Sequence, residues 1–384
     1  MKKYFVNSSF YLVVIILLSA GCTPKQSGSS STWAIGPFVK VDSVNPIMGP
    51  IDSVSFKGPI LNKQVKWEAK DVFNPACIVK EDTLFLLYRA EDSIGKYNGT
   101  SRIGLAYGLD GLHFVRYGKP VLYPSNDEYS KYEWEGGCED PRIVQDSLGT
   151  YYMTYTAYDG HTARLFIATS TDLRHWKKYG SVFKKAGDEY VNMWSKSGAI
   201  VCKDVKGKLV TAKINGKYWM FWGESNIYMA TSKDLINWTP ILETDSAKQK
   251  LDTMRHYTAP FKILFSPRKG KFDSELVESG PPAIITNNGI VFIYNSKNSP
   301  TFGNPNLARG TYAAGQVLVD NNDPTKVLKR TDKWFISPDK PYEITGQVNN
   351  VCFVEGLTYF KNKWYLYYGT ADAKIAVAVY STKK

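Results

Sequence analysis

Residues 104–114 read GLAYGLDGLHF, and the same signature returns as FIATSTDLRHW at 166–176 and YMATSKDLINW at 228–238. Each copy is an apolar strand ending in small residues, then an Asp-led turn, then an aromatic. The turn aspartates are Asp110, Asp172 and Asp234, each 62 residues from the last. A period this long marks a repeated supersecondary unit. Upstream of each aspartate lies an alternating, aromatic-rich strand after a tight polar turn: EDTLFLLYRAED (81–92), LGTYYMTYTAYD (148–159), NGKYWMFWGES (215–225), NNGIVFIYNSKN (287–298) and KNKWYLYYGTAD (361–372). Period-two alternation of Tyr, Phe, Trp, Ile and Val behind such turns is the pattern of half-buried strands. One step further upstream sit short apolar runs: NPACIV (74–79), EDPRIV (139–144), KSGAIV (196–201), GPPAII (280–285) and NVCFVEGL (350–357).

Five copies of run, turn, aromatic strand and outer strand predict an all-β chain. The expected architecture is a five-bladed β-propeller of antiparallel strands, because radial repetition leaves few open sheet edges. A β-sandwich is the competing arrangement, and equal spacing is not expected of one. The last two copies lack the Asp-x-x-Trp ending, so their outer strands are less clearly marked. The 384 residues are ample for one large domain, and the 14% aromatic content suits strand packing and sugar stacking alike.

The first residues read as a targeting segment. Lys2 and Lys3 precede an apolar stretch from Phe10 to Leu18, too short to cross a bilayer, which runs into Leu18-Ser19-Ala20-Gly21-Cys22. This end resembles the lipobox of bacterial lipoproteins, in which the cysteine is lipidated; Ser19 stands where Leu is usual. An ordinary secretory signal is the alternative. The expectation is a signal peptide over 1–21, a lipidated Cys22 with a Gly/Ser-rich tether over 22–45, and a catalytic domain over 46–384, held at the bacterial cell envelope through a lipid anchor.

The remaining cysteines, Cys77, Cys138, Cys202 and Cys352, have no metal-type spacing, and the four histidines form no cluster. No metal or other cofactor is expected. The formal charge of +12 comes from scattered lysines, so it reads as a solvated surface and not as a nucleic-acid site.

In a radial arrangement the heads of the first strands and the ends of the second strands converge at the hub. Those positions hold Asn74, Asp140, Ser197 and Glu278, and then Arg89, Glu91, Asp92, Asp159, Glu224, Asn295 and Asp372. Carboxylates with Arg and aromatic neighbours, without metal ligands or a Ser/His pair, fit glycosidic bond cleavage: one acid helps the leaving oxygen and one carboxylate activates water or attacks.

The ordered series VFNPACIV, LLYRAED, GGCEDPRIV, AKINGKYWMFWGE and ESGPPAII resembles glycoside hydrolase family 130, the β-mannoside phosphorylases and hydrolases, from about Asn74 to Asp372. The resemblance implies that Asp140, of Glu-Asp-Pro-Arg, is the acid, delivering its proton through a hydroxyl of the sugar. Where the family's phosphorylases commonly carry His-Arg, this chain has Gly223-Glu224. That substitution resembles the branch that hydrolyses β-1,2-linked mannosides, with Glu224 and Glu278 where phosphate would sit and Glu275 as a rival second glutamate. The expected activity is therefore an inverting removal of β-linked mannose from the end of mannosides, in a site without a cationic nest for phosphate. The alternatives are a β-mannoside phosphorylase releasing mannose 1-phosphate and a non-catalytic glycan-binding lipoprotein. Asn74, Arg89, Arg102, Lys213, Trp222, Tyr257 and Asp372 are the expected sugar-binding residues.

Overall fold

The computed structural model describes Met1 and residues 33–382 other than 98, 206–207, 247–250, 253–256 and 259, with backbone alone at 251–252 and 257–258. Cys22, the apolar leader and most of the tether lie outside the described residues. The described chain is all-β, with three short helices of four or five residues.

The strands form five antiparallel meanders in chain order. The first runs Asp71–Lys80, Thr83–Glu91, Ser101–Gly108 and Val115–Arg116. The second runs Gly137–Gln145, Tyr151–Tyr158, Ala163–Ser170 and Lys177–Ser181. The third runs Ala199–Val205, Tyr218–Trp222, Ile227–Ser232 and Trp238–Pro240. In the fourth, Leu276–Ser279 and Ala283–Thr286 both pair with Gly289–Lys297, which is followed by Tyr312–Val319 and Val327–Arg330. The fifth is Cys352–Phe360, Lys363–Thr370 and Lys374–Ser381.

The repeated aspartates have one job, and it is structural. Asp110 Oδ1 accepts from the backbone of Leu112 and His113, Asp172 Oδ1 from Arg174 and His175, and Asp234 Oδ1 from Ile236 and Asn237, all at 2.8–3.0 Å. Each is an Asx-type turn that reverses the chain between third and fourth strands. The aromatic after it then packs inward, as Trp238 does at 1% exposure.

The fifth meander takes its outer strand from the start of the chain. Val39 and Lys40 pair antiparallel with Val379 and Ala378. Asn45 exchanges two hydrogen bonds of 2.9 Å with the backbone of Val377, and Gln316 exchanges two with Ile35 at 3.0 and 2.8 Å. Trp33 packs on Val291 and Leu318. The expected boundary at residue 46 therefore moves: residues 33–45 belong to the folded unit, because this segment supplies the edge pairing that the last meander lacks.

Apolar clusters fill the space between neighbouring meanders, with Trp67, Trp222, Tyr88, Tyr155, Tyr294 and Tyr367 among the fully buried side chains. The four cysteines of the described chain are buried free thiols. Among the described residues, no group of His, Cys, Asp and Glu is arranged to hold a metal ion.

Candidate active site

The first strands of three meanders begin at a backbone fault. Asn74, Asp140 and Ser197 have φ of 47°, 48° and 59°, and the strand register slips at Phe73/Pro75 and at Glu139/Arg142. A residue before proline is normally extended, so Asn74-Pro75 and Asp140-Pro141 hold their conformation against local preference. The bulge turns each side chain out of the pleat, and the two meet: Asn74 Nδ2 donates to Asp140 Oδ1 at 2.9 Å. Gly369 makes room for this contact, since a Cβ there would lie 2.1 Å from Asn74 Oδ1. Gly369→Ala is expected to cost about 1–3 kcal/mol of stability by overpacking and to lower turnover by displacing Asn74 from Asp140. Thermal melting and a rate assay on the same preparation check both.

Asn74, Arg89, Asp140, Glu224, Glu278 and Asp372 line one open cavity of about 460 Å³, together with Lys196, Tyr312, Val348, Val351 and Phe353. Arg89, from the end of a second strand, reaches Asp140 Oδ1 at 3.2 Å, Glu91 at 2.6 Å and Glu139 at 3.0 Å. Lys196 Nζ stands 3.4 Å from Asp140 Oδ2 and 3.5 Å from Glu278 Oε1, so one ammonium separates the two carboxylates. Backbone links hold this arrangement: Gly223 N donates to Lys196 O at 3.0 Å, and Ser279 N to Gly223 O at 3.4 Å. Ser197 Oγ donates a short hydrogen bond to Glu278, and Trp194 Nε1 donates to Glu224 Oε2 at 3.0 Å.

Burial and charge set different protonation at each carboxyl. Burial pushes Asp140 upward, but Arg89, Lys196, the Asn74 hydrogen bond and Arg142 together hold it well below the ordinary carboxylate range. Glu139 beside it is pushed up to about 7 by burial, against the pull of Arg89. The neighbours thus keep one proton between them until about pH 7, and the Asn74 hydrogen bond and Arg142, which help to hold Asp140 ionised, leave it on Glu139. Glu278 is raised by burial and by Glu224, against Lys196 and Arg142. Lys196 is held well above the usual range by Glu278, Glu224, Asp140 and Glu139, which outweigh its burial.

Asp372 is raised to about 7 by burial, with Arg89 pulling it down and Asp140 pushing it up. Its proton is bound more tightly in the folded chain than in the unfolded one. Stability from this group is therefore full below pH 3.8 and declines as pH rises towards about 7. Asp372→Asn is expected to melt above the wild type at pH 8, with the gap closing towards pH 4. Melting temperatures across that range check it.

Several expected sugar contacts lie elsewhere. Trp222 is 1% exposed, packed between Phe183, Tyr228 and Phe261, because strand alternation turns it into the core. Lys213 is exposed, its ammonium 5.0 Å from the Tyr218 ring. Arg102 is buried on Asp92, at 2.6 Å, and on Thr100 O, at 2.9 Å. Asp92 in turn accepts from the backbone of Ile94 and Thr100, so Arg102 braces the loop that carries Tyr97. Glu275 pairs with Lys297 at 2.9 Å, outside the cavity, which leaves Glu278 as the second glutamate there. Asp159 caps a turn to Arg164, and Asn295 ties Val354. The side chain of Tyr257 lies outside the described residues.

Of the cations expected here, Arg89 lines the cavity and Arg102 and Lys213 do not; Lys196 stands there with Arg89 instead, and it precedes Ser197 as Glu139 precedes Asp140, a repeat-head position that marks it. Tyr312 and Phe353, with ring centroids 6.3 Å apart, form the apolar wall where Trp222 was expected. A second cavity of about 420 Å³ adjoins through Arg89 and is walled by Tyr97, Tyr158, Glu139 and Gln347. Tyr158 lies edge-on to Trp194 at 6.4 Å, so an aromatic rim runs from this cavity to Glu224.

Residues 54–384 match the family described as beta-1,4-mannooligosaccharide phosphorylase. The chain belongs to glycoside hydrolase family 130. A 1,2-beta-oligomannan phosphorylase from Thermoanaerobacter sp. (strain X514) is 31% identical over 327 residues, covering 83% of this chain and 92% of the relative. A solved glycosyl hydrolase from Bacteroides ovatus is 46% identical with a TM-score of 0.86, covering 92% of this chain and 96% of its own. Another solved structure, 46% identical with a TM-score of 0.87 over 92% of this chain and 96% of its own, was reported with the finding that this family of mannoside phosphorylases contains glycoside hydrolases that target β-1,2 mannosidic linkages in Candida mannan.

Proposed function

We propose that this family 130 member is an inverting hydrolase that releases β-linked mannose, β-1,2-linked above all, from the end of mannosides. The observation that carries the reading is the charge lining of the cavity. Asp140, Glu224, Glu278 and Asp372 face two cations, Arg89 and Lys196, and each cation already lies against more than one carboxylate. A phosphate arriving there meets anions on several sides, and two like unit charges 4 Å apart cost about 4 kcal/mol near a protein surface. Water carries no such cost.

In the proposed chemistry Asp140, protonated in the complex, passes its proton to a sugar hydroxyl, which hands its own to the leaving oxygen. The Glu278–Glu224 pair takes a proton from water on the opposite face, and that water oxygen bonds to the anomeric carbon as the glycosidic bond breaks. The protons held by Glu139 and Asp372 near neutral pH supply the pool that loads Asp140. The second cavity receives the leaving sugar, with Tyr97 and Tyr158 as stacking faces.

Phosphorolysis is the second reading. The curated relative cited above is named a phosphorylase, as is the family description, so by names alone this alternative has the stronger support. Lys196 and Arg89 also give phosphate two cationic contacts. Incubating the protein with β-1,2-mannobiose, with and without inorganic phosphate, separates the readings. Free mannose as sole product in both tubes supports hydrolysis, phosphate-dependent mannose 1-phosphate replaces it with phosphorolysis, and binding without turnover leaves a glycan-binding protein.

Two wider features belong to the same proposal. The five meanders are blades of a five-bladed propeller whose ring is closed by the Val39–Lys40 pairing, and Cys22 carries a lipid that holds the enzyme at the cell envelope. Palmitate labelling lost in Cys22→Ala supports the anchor, and labelling retained removes it.

A further inference from the structure

Beneath the cavity floor one guanidinium joins three meanders. Arg142 is 2% exposed. Its Nε donates to Gly280 O at 2.8 Å and a terminal nitrogen to Ser279 O at 2.6 Å, both in the fourth meander. Its other terminal nitrogen donates to Asp140 O at 3.1 Å, in the second. Glu355, in the fifth, lies 2.9 Å from its outer edge and is fully buried. Neither Glu355 oxygen has a hydrogen-bond partner among the described residues, and Arg142 is the cation it pairs with. Ser279 follows Glu278 directly in the chain. Arg142 therefore grips the backbone at Asp140 and the backbone next to Glu278 at once.

We infer that Arg142, backed by Glu355, is a positioning residue that fixes the spacing of Asp140 and Glu278 across the reaction centre. This rests on the hydrolytic reading above. In an inverting reaction the gap between the two carboxyls must admit one water beside the sugar, and small errors in that gap cost rate far more than affinity. Asp140 sits in a left-handed backbone state ahead of a proline, which local preference alone would not keep. Its side chain is steered by Asn74, Arg89 and Lys196, but its backbone is tied to the fourth meander through Arg142.

Arg142 also acts on charge. It lowers both Asp140 and Glu278. The groups facing Glu278 are Lys196 and Ser197 on the approach to the third meander, Glu224 beyond its second strand, Tyr312 in the fourth and Glu355 in the fifth, with Asp140 of the second across Lys196. Arg142 is the cation among these contacts that touches no substrate space.

The test is Arg142→Lys with β-1,2-mannobiose as substrate. A lysine keeps the charge but cannot span Asp140, Ser279 and Gly280 together. The expected result is a kcat at least about tenfold lower with KM within about twofold, and an acid limb of the pH–rate profile moved upward because the retained charge no longer sits against the two carboxyls. Unchanged kcat, a loss carried by KM alone, or a reduced kcat with an unmoved acid limb overturns the proposal. If Arg142→Lys does not fold, Glu355→Ala replaces it: the guanidinium loses its outer support, and kcat should fall about threefold or more with KM held. Wild-type kcat in that variant overturns the inference. Wild-type protein that leaves mannobiose intact overturns the hydrolytic reading instead, which keeps the two failures distinct.

Discussion

Asp140→Asn should lower kcat on β-1,2-mannobiose by about a hundredfold to ten-thousandfold, the usual span for removing a general acid. The amide keeps the shape and the Asn74 contact but has no proton to pass to the sugar hydroxyl. The loss should depend on the leaving group. A nitrophenyl β-mannoside departs as a stabilised phenolate and needs little protonation, so the variant should fall much less on that substrate. Equal losses on both substrates would mean that Asp140 binds sugar without serving as the acid. Arg89, Lys196, Asn74 and Arg142 keep Asp140 ionised, so the acid must take up a proton as substrate binds. Glu139, raised to about 7, is the adjacent source of that proton.

Glu278→Gln is the second large effect, with an expected loss of at least about a hundredfold in kcat. The carboxylate that activates water is gone, while Ser197 and Lys196 keep neutral and cationic partners for an amide. Added azide, an anion that needs no base, should restore turnover and give the α-configured mannosyl azide, the mark of attack from the face opposite the leaving group. Azide without effect would remove Glu278 from that role. In the unaltered enzyme, burial and Glu224 raise the Glu278 carboxyl, so the acid limb of the rate profile should lie above its ordinary value of 4.5. Activity undiminished at pH 4 would contradict this.

The fold was legible wherever local chemistry repeats. Asp110, Asp172 and Asp234 mark three outer turns because a carboxylate two residues ahead of the amides it accepts from is a short-range device, visible without tertiary structure. The fifth outer strand was not legible. It is two residues long, lies over 330 residues from its partner, and sits inside the stretch that reads as tether. The site divides in the same way. Asn74, Asp140 and Glu278 stand at repeat heads, and Arg89, Glu224 and Asp372 at second-strand ends, so repetition alone brings them to one cavity. Lys196 also stands at a repeat head, one residue before Ser197, but it precedes the strand itself, and the backbone link to Gly223 that holds it at the cavity is a tertiary contact. Trp222 was misplaced because its neighbours alternate, and one step along a strand exchanges cavity for core. Arg102 shows the cost of reading residue type without partner: Asp92 claims it before any ligand can.

The pairing of Val39 and Lys40 with Ala378 and Val379 also bears on biogenesis. While the ribosome is still adding the last meander, the opening segment has nothing to zip against and waits as a sticky, unsatisfied edge. Completion must come after release, as a late and highly non-local step. Because Val39–Lys40 and the last strand are neighbours in space, a circularly permuted gene that joins residue 381 to residue 33 and opens a distant surface turn should yield a domain that matures with less delay.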